Sequence, residues 1–176
     1  GGSPGAGAFG GLHHSSAPMK KGINMPKGPV HRRVGTAAGG ATAAVLARHL
    51  PREELLAEIV GGLLGGRVGG ALPDRFDPPT SPNHRSVGHG LATAGGALIG
   101  AARQLPEWQE MLRRKADELR SAGESAWERL CYALLGWLCQ VATGALAGLI
   151  AGYASHLVMD ASKPGGRGLP LIAAGF

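Results

Sequence analysis

The stretch CYALLGWLCQVATGALAGLIAGYAS, residues 131–155, runs for 25 residues without a charged side chain. About 20 apolar residues are enough for a helix to cross a bilayer. Glycine and alanine make the stretch only modestly hydrophobic, and such small residues let helix backbones approach closely, in lipid or in a tight helical core. The stretch therefore predicts one long helix, from about Ser125 to Ala161, that either spans a membrane or forms the centre of a bundle.

The remainder of the chain repeats this glycine-rich pattern. The run IVGGLLGGRVGGAL at 59–72 is apolar without the alternation of a half-buried strand, which predicts an all-α fold. We expect helices over about 30–49, 52–72 and 86–103, and a charged amphipathic helix within 106–129. Four prolines between 73 and 82 predict a non-helical loop there. The expected architecture is a compact bundle of about five helices around the long C-terminal helix.

Composition divides the chain into two regions. Residues 1–28 are rich in Gly, Ser and Pro and carry Lys20, Lys21 and Lys27 without an acid, which predicts a flexible basic arm before a helical domain at 29–176. Such an arm is typical of proteins with an anionic partner, either lipid head groups or nucleic acid, although it also fits a solubilising tail. Nucleic acid is the less favoured partner, because aromatic residues make up only 5% of the chain and offer few stacking platforms.

The clearest candidate for chemistry lies near the end of the long helix. His156 and Asp160 are four residues apart, so they lie on one face of a helix. An imidazole and a carboxylate in this arrangement can bind the same divalent ion, and zinc accepts both donors at about 2 Å. Taken alone, the pair is more typical of a solvent-exposed His–Asp contact at a helix C-terminus.

Three further clusters of His and Asp occur where helices are expected to begin or end. Asp74 and Asp77 follow the second helix, His84 and His89 precede or open the third, and His31 opens the first. Individually they fit turn-forming aspartates, surface-loop histidines and a solvated arm. Three of the four aspartates in the chain fall in these clusters, and the helices of a bundle can bring their ends together. The combined pattern predicts a metal site at clustered helix ends.

These residues stand in motifs that resemble a known family. The motifs are VHRRVG (30–35), LPDRFD (72–77), HRSVGH (84–89), HLVMDASKPGG (156–166) and GLPLI (168–172). In this order they look like those of the YdjM-like membrane-bound metal-dependent hydrolases, which are related to the zinc-dependent phospholipase C and single-strand nuclease group. The resemblance implies an all-helical, zinc-binding phosphoesterase of the bacterial inner membrane. It implies the following metal ligands: His31, Asp74, His84, His89, His156 and Asp160.

Two functional hypotheses follow. In the first, the protein is a zinc-dependent hydrolase of phosphoester bonds, with a membrane lipid or another phosphoester as substrate. Asp74 or Asp77 would accept a proton from the attacking water, and Arg85 would either clamp a phosphate oxygen or form a structural salt bridge. In the second, the chain is a non-catalytic helical membrane or assembly protein whose metal site is structural or lost. A soluble form and the oligomeric state stay open.

Overall fold

The computed structural model of the chain describes Gly1, residues 27–76 and residues 91–162. These residues form four long helices and one short helix, and no strand occurs among them. The helices are α1 (Lys27–Leu46), α2 (Arg52–Gly69), α3 (Leu72–Phe76), α4 (Leu91–Arg120) and α5 (Ala126–Ala161). The prediction of an all-α fold with a long apolar C-terminal helix is confirmed. The arm at 2–26 and four candidate site residues lie outside the described residues: Asp77, His84, Arg85 and His89.

The start of α5 is fixed by a capping box. The side-chain oxygen of Ser125 accepts a hydrogen bond from the backbone N–H of Glu128, and the Glu128 carboxylate accepts one from the backbone N–H of Ser125. These bonds satisfy two N–H groups that otherwise have no partner at a helix N-terminus. The preceding turn from α4 contains Gly123 at φ 99°, a left-handed conformation that glycine adopts without steric cost. The predicted boundary at Ser125 is therefore correct.

The backbones of α1, α2 and α5 are in direct contact at glycine residues, which have no side chain to separate them. A Cβ atom on Gly66 of α2 would collide with the carbonyl oxygen of Gly35 on α1 and would lie 2.9 Å from the Cα atom of Gly39. On the other side, a Cβ atom on Gly152 of α5 would collide with the carbonyl oxygen of Gly66. Because the helices are this close, there is no room between them for large side chains.

The glycine contacts also define the helix directions. Gly35 lies opposite Gly70 while Gly39 lies opposite Gly62, so α1 and α2 are antiparallel. Between α2 and α5, the residue numbers of neighbouring positions rise in the same direction: Gly61 lies near Val141 and Gly69 near Leu149. These two helices are therefore parallel.

Helix α4 is antiparallel to α5, because Gln109 donates a hydrogen bond to the carbonyl oxygen of Thr143 (3.3 Å) whereas Ala116 lies beside Gly136. One end of the bundle consequently contains α3, the N-termini of α1 and α4, and the C-termini of α2 and α5. We call this the α3 end and the other the opposite end.

Two predictions about proline are wrong. Helix α4 continues through Pro106, where a break between two helices was expected. A proline removes one backbone hydrogen bond from a helix; here contacts with α5 on both sides of Pro106 keep the helix continuous. Residues Leu72–Phe76 are helical although a loop was expected from position 73, because Pro73 occupies the first turn, where a helix needs no N–H donor.

A polar network joins α2 to α4 near the opposite end. The carboxylate of Glu58, which is fully buried, accepts two hydrogen bonds from the Arg113 guanidinium, at 2.7 and 2.9 Å. These bonds, more than the nearby charge of Glu58, raise the pKa of Arg113 and keep the guanidinium charged despite partial burial. Arg120 pairs with Glu54 at 2.7 Å, and Gln140 of α5 donates to the same carboxylate at 3.0 Å. The charged half of α4 is therefore an integral part of the bundle.

Large apolar side chains lie on the outside of the bundle. The buried hydrophobic residues among the described ones are six alanines and Leu157. Exposed residues with large apolar side chains include Val45, Leu56, Leu64, Val68, Phe76, Trp127, Leu134, Leu138 and Val158. Two segments, Arg52–Phe76 and Ala126–Ala161, are long and apolar enough to cross a membrane.

Candidate metal centre

Four of the predicted site residues meet at the α3 end. His31 comes from α1, Asp74 from α3, and His156 and Asp160 from α5. His31, His156 and Asp160 are almost completely buried, at 2%, 0% and 4% exposure, whereas the Asp74 side chain is 29% exposed. The centre thus has three enclosed donors and one, Asp74, that reaches the surface.

Local structure explains how three helices supply these groups. On α5, His156 and Asp160 lie one turn apart on the face that packs towards α1 and α2. His31 lies in the second turn of α1, which runs antiparallel to α2 and therefore brings its N-terminal part to the C-terminus of α2. The short turn after α2 leads directly into α3, which places Asp74 beside the other three residues.

The donor atoms are spaced for a shared cation. Nε2 of His156 lies 3.4 Å from Oδ2 of Asp160 and 3.5 Å from Oδ1 of Asp74, while Nε2 of His31 lies 3.6 Å from Oδ1 of Asp160. In a tetrahedral zinc site with bonds of 2.0–2.1 Å, neighbouring ligand atoms are separated by about 3.3–3.4 Å. Candidate ligand atoms of His31, Asp74 and His156 all lie within 4.8 Å of one another. This group can therefore hold a metal ion, and Asp160 lies beside it.

A backbone carbonyl orients the His156 ring. Nδ1 of His156 lies 2.8 Å from the carbonyl oxygen of Gly70, and because a carbonyl can only accept, Nδ1 carries the proton that it donates. Nε2 then faces the two carboxylates. A second hydrogen bond of this kind is the usual support of a metal-ligating histidine, since it fixes both the ring and its tautomer.

Gly70 can provide this carbonyl because of its position and its size. It is the C-cap of α2, where carbonyl groups lack partners within the helix. A Cβ atom at this position would lie 2.6 Å from the carbonyl oxygen of His31, so a larger residue would push α1 away from the site. This role of Gly70 was not predicted, although its place at the end of an apolar run, shortly before LPD, is a detectable signal.

The two histidine rings are stacked. The ring centroids of His31 and His156 are 3.9 Å apart and the rings are inclined by 23°. Two imidazolium cations in this position would repel each other, whereas neutral rings stack without that cost and are the form that binds metal. The nitrogen and carboxylate donors suit zinc and other first-row divalent ions.

An apolar cavity occurs near the α3 end of the bundle. It measures about 300 Å³ and lies between α3, α4 and α5. Leu72 and Phe76, on either side of Asp74 in the chain, contribute to its wall, as does Tyr153, three residues before His156.

The comparisons with known proteins add no relative to this picture. No family model, curated protein or solved structure matches the chain.

Proposed function

We propose that the protein is a metal-dependent hydrolase of phosphoester bonds that acts at a membrane, with zinc as the expected ion. One observation carries the proposal: His31, Asp74, His156 and Asp160 converge from three helices with N···O distances of 3.4–3.6 Å. The resemblance of the motifs to the YdjM-like hydrolases is in accord with it. These four residues would hold the ion.

The bound ion would supply a Lewis acid and water of lowered pKa. The side chains have distinct tasks around it. Gly70 and the carboxylates keep the imidazole of His156 in one orientation. Asp74, the one member of the centre with substantial exposure, is placed to accept a proton from water at the mouth of the site. Arg85 and Asp77 keep their predicted roles as proposals, since they lie outside the described residues.

A lipid substrate fits the surroundings of the centre better than nucleic acid. The cavity between α3, α4 and α5 is lined almost wholly by apolar side chains, which suits an acyl chain. The two segments long and apolar enough to cross a membrane, Arg52–Phe76 and Ala126–Ala161, both end near the centre. We propose that the α3 end of the bundle associates with a bilayer, so that the centre lies at the level of the head groups, where a phosphoester bond of a phospholipid is found.

One observation favours a second candidate, a structural metal in a non-catalytic membrane or assembly protein. Three of the four donors are almost completely buried, and structural zinc sites are closed by protein ligands. The 29% exposure of Asp74 distinguishes the candidates, because a catalytic centre needs an accessible position.

Hydrolysis by the zinc-loaded protein tests the proposal. Phosphatidylglycerol in mixed micelles and bis(p-nitrophenyl) phosphate in solution serve as substrates. Asp74→Asn should reduce turnover by at least about 100-fold, the usual lower limit for loss of a general base, while Asp117→Asn on the exposed face of α4 should leave it unchanged. Zinc binding without turnover of either substrate would favour the structural candidate.

A further inference from the structure

The rim of the α3 end carries four arginines. Arg32 and Arg33 lie on α1, next to His31; Arg67 lies on the last turn of α2; and Arg75 follows Asp74 on α3. All four are exposed, and no acidic side chain among the described residues pairs with any of them. We call these residues the arginine rim. Four guanidinium groups without an acidic partner among the described residues create a positive potential that attracts anions.

The charge of the entire chain is divided in the same way. Three parts of the chain either lie at the α3 end or are joined in sequence to a helix terminus there: residues 1–35, 67–91 and 156–176. Together they contain ten Lys and Arg residues but only three Asp. The remaining residues contain eight Lys and Arg and nine Asp and Glu. The first group therefore has an excess of seven positive charges and the second an excess of one negative charge, which together account for the formal net charge of +6.

Each part of the arginine rim is next to an exposed large apolar side chain. Val34 follows Arg33, Val68 follows Arg67 and Phe76 follows Arg75, with exposures of 38%, 52% and 70%. Arginines can extend to the head groups while their stems and their apolar neighbours stay in contact with acyl chains. Alternation of basic and apolar side chains at the end of a membrane segment is a feature of the bilayer interface.

From this arrangement we infer that the arginine rim binds the head groups of anionic phospholipids and thereby holds the α3 end at an anionic leaflet. The positive charge of the rim favours a ligand that carries phosphate. The adjacent exposed valine and phenylalanine side chains favour a lipid over a soluble phosphate, because they can contact its acyl chains. The inference rests on the membrane association in the proposed function, but it requires neither a bound metal nor hydrolysis.

Lipid binding to the purified chain in neutral detergent micelles tests this inference. Dye-labelled protein is titrated with phosphatidylglycerol or phosphatidylcholine at low and high salt, and binding is followed by thermophoresis. Phosphatidylglycerol should bind at least about tenfold more tightly at low salt, and the preference should fall as salt screens the charges. Soluble glycerol phosphate should not compete at the same concentration.

Two matched variants locate the contact. The first variant has glutamine at all four positions of the arginine rim: Arg32→Gln/Arg33→Gln/Arg67→Gln/Arg75→Gln. It should weaken phosphatidylglycerol binding by at least about tenfold. The control variant removes the same number of charges from exposed arginines at or near the opposite end: Arg48→Gln/Arg52→Gln/Arg114→Gln/Arg129→Gln. It should change phosphatidylglycerol binding less than about twofold. Circular dichroism verifies that both variants retain their helices.

Several results would overturn the inference. These are equal affinity of the wild-type protein for both lipids, equal losses in the two variants, and displacement of phosphatidylglycerol by a single-stranded oligonucleotide. The lipid preference is measured on the wild-type protein, so it decides the matter even if a variant fails to fold. Repeating the titration with a chelator separates the two proposals, because head-group binding should persist when zinc is removed.

Discussion

The imidazole rings of His31 and His156 stack with their centroids 3.9 Å apart, although 125 positions separate the two residues in the chain. The contact joins α1 to α5 at the end of the bundle where Asp74 and Asp160 also lie. His31 therefore has two separable contributions, the stacking of its ring and the donor nitrogen that faces Asp160.

Substitution of His31 by phenylalanine separates these contributions. His31→Phe retains a stacked ring but has no donor nitrogen, so the metal-free variant should remain folded. Wild-type protein should gain about 2.7 kcal/mol when zinc is present at 100 times its dissociation constant, and the variant should gain much less. Thermal unfolding in detergent with and without zinc measures the difference. Equal stabilisation of both proteins would exclude His31 as a ligand.

Glycine packing predicts opposite effects for two Gly→Ala substitutions. Gly66→Ala introduces a Cβ atom that collides with the carbonyl oxygen of Gly35, and overpacking of this kind costs about 1–3 kcal/mol. Gly100→Ala, on a part of α4 where no described atom lies within 4 Å of the added Cβ, should instead stabilise the protein by about 0.5–1 kcal/mol through helix propensity. Denaturant unfolding compares the two. A neutral Gly66→Ala would mean that α1 and α2 are farther apart.

The buried pair of Glu58 and Arg113 should be strongly coupled. Arg113→Met leaves a fully buried carboxylate without its partner, which costs about 3–5 kcal/mol, and adding Glu58→Leu should recover much of this loss. The exposed pair of Lys115 and Glu118, with side chains 58% and 54% exposed, should contribute less than about 0.5 kcal/mol. Double-mutant cycles on both pairs test the contrast. Additive losses for Glu58 and Arg113 would contradict it.

Local sequence patterns predicted much of this architecture. The uncharged run at 131–155 was sufficient to predict α5, and the four-residue spacing of His156 and Asp160 was sufficient to place them on one face. The meeting of His31 and Asp74 with them was expected from the positions of these residues at helix ends. Such features depend on neighbouring residues, which the sequence displays directly.

The features that the sequence did not predict depend on contacts between distant residues. Pro106 favours the end of a helix, yet α4, which packs against α5, continues through it. The pairing of Glu58 with Arg113 could not be predicted, because 55 positions separate the two residues in the chain. Gly70 has no side chain, so its hydrogen bond to His156 leaves little trace in the sequence.

A protein whose segments Arg52–Phe76 and Ala126–Ala161 cross a bacterial inner membrane would be oriented by its charge distribution. Lys and Arg residues are retained on the cytoplasmic side, so the α3 end should face the cytoplasm. In a Cys131→Ser/Cys139→Ser background, a membrane-impermeant maleimide should label Glu124→Cys in intact spheroplasts, and Phe76→Cys only after lysis. The reverse labelling would contradict this orientation. Labelling of both sites in intact spheroplasts would contradict a membrane-spanning arrangement.

The central claim is that His31, Asp74, His156 and Asp160 bind a metal ion, and elemental analysis of protein purified without a histidine tag or chelator tests it most directly. We predict at least one zinc ion per chain in the wild-type protein and in the control His49→Ala, which alters an exposed histidine at the opposite end. We predict loss of that zinc in His156→Ala. Absence of metal from the wild-type protein, or equal zinc content in all three proteins, would contradict the assignment of this centre.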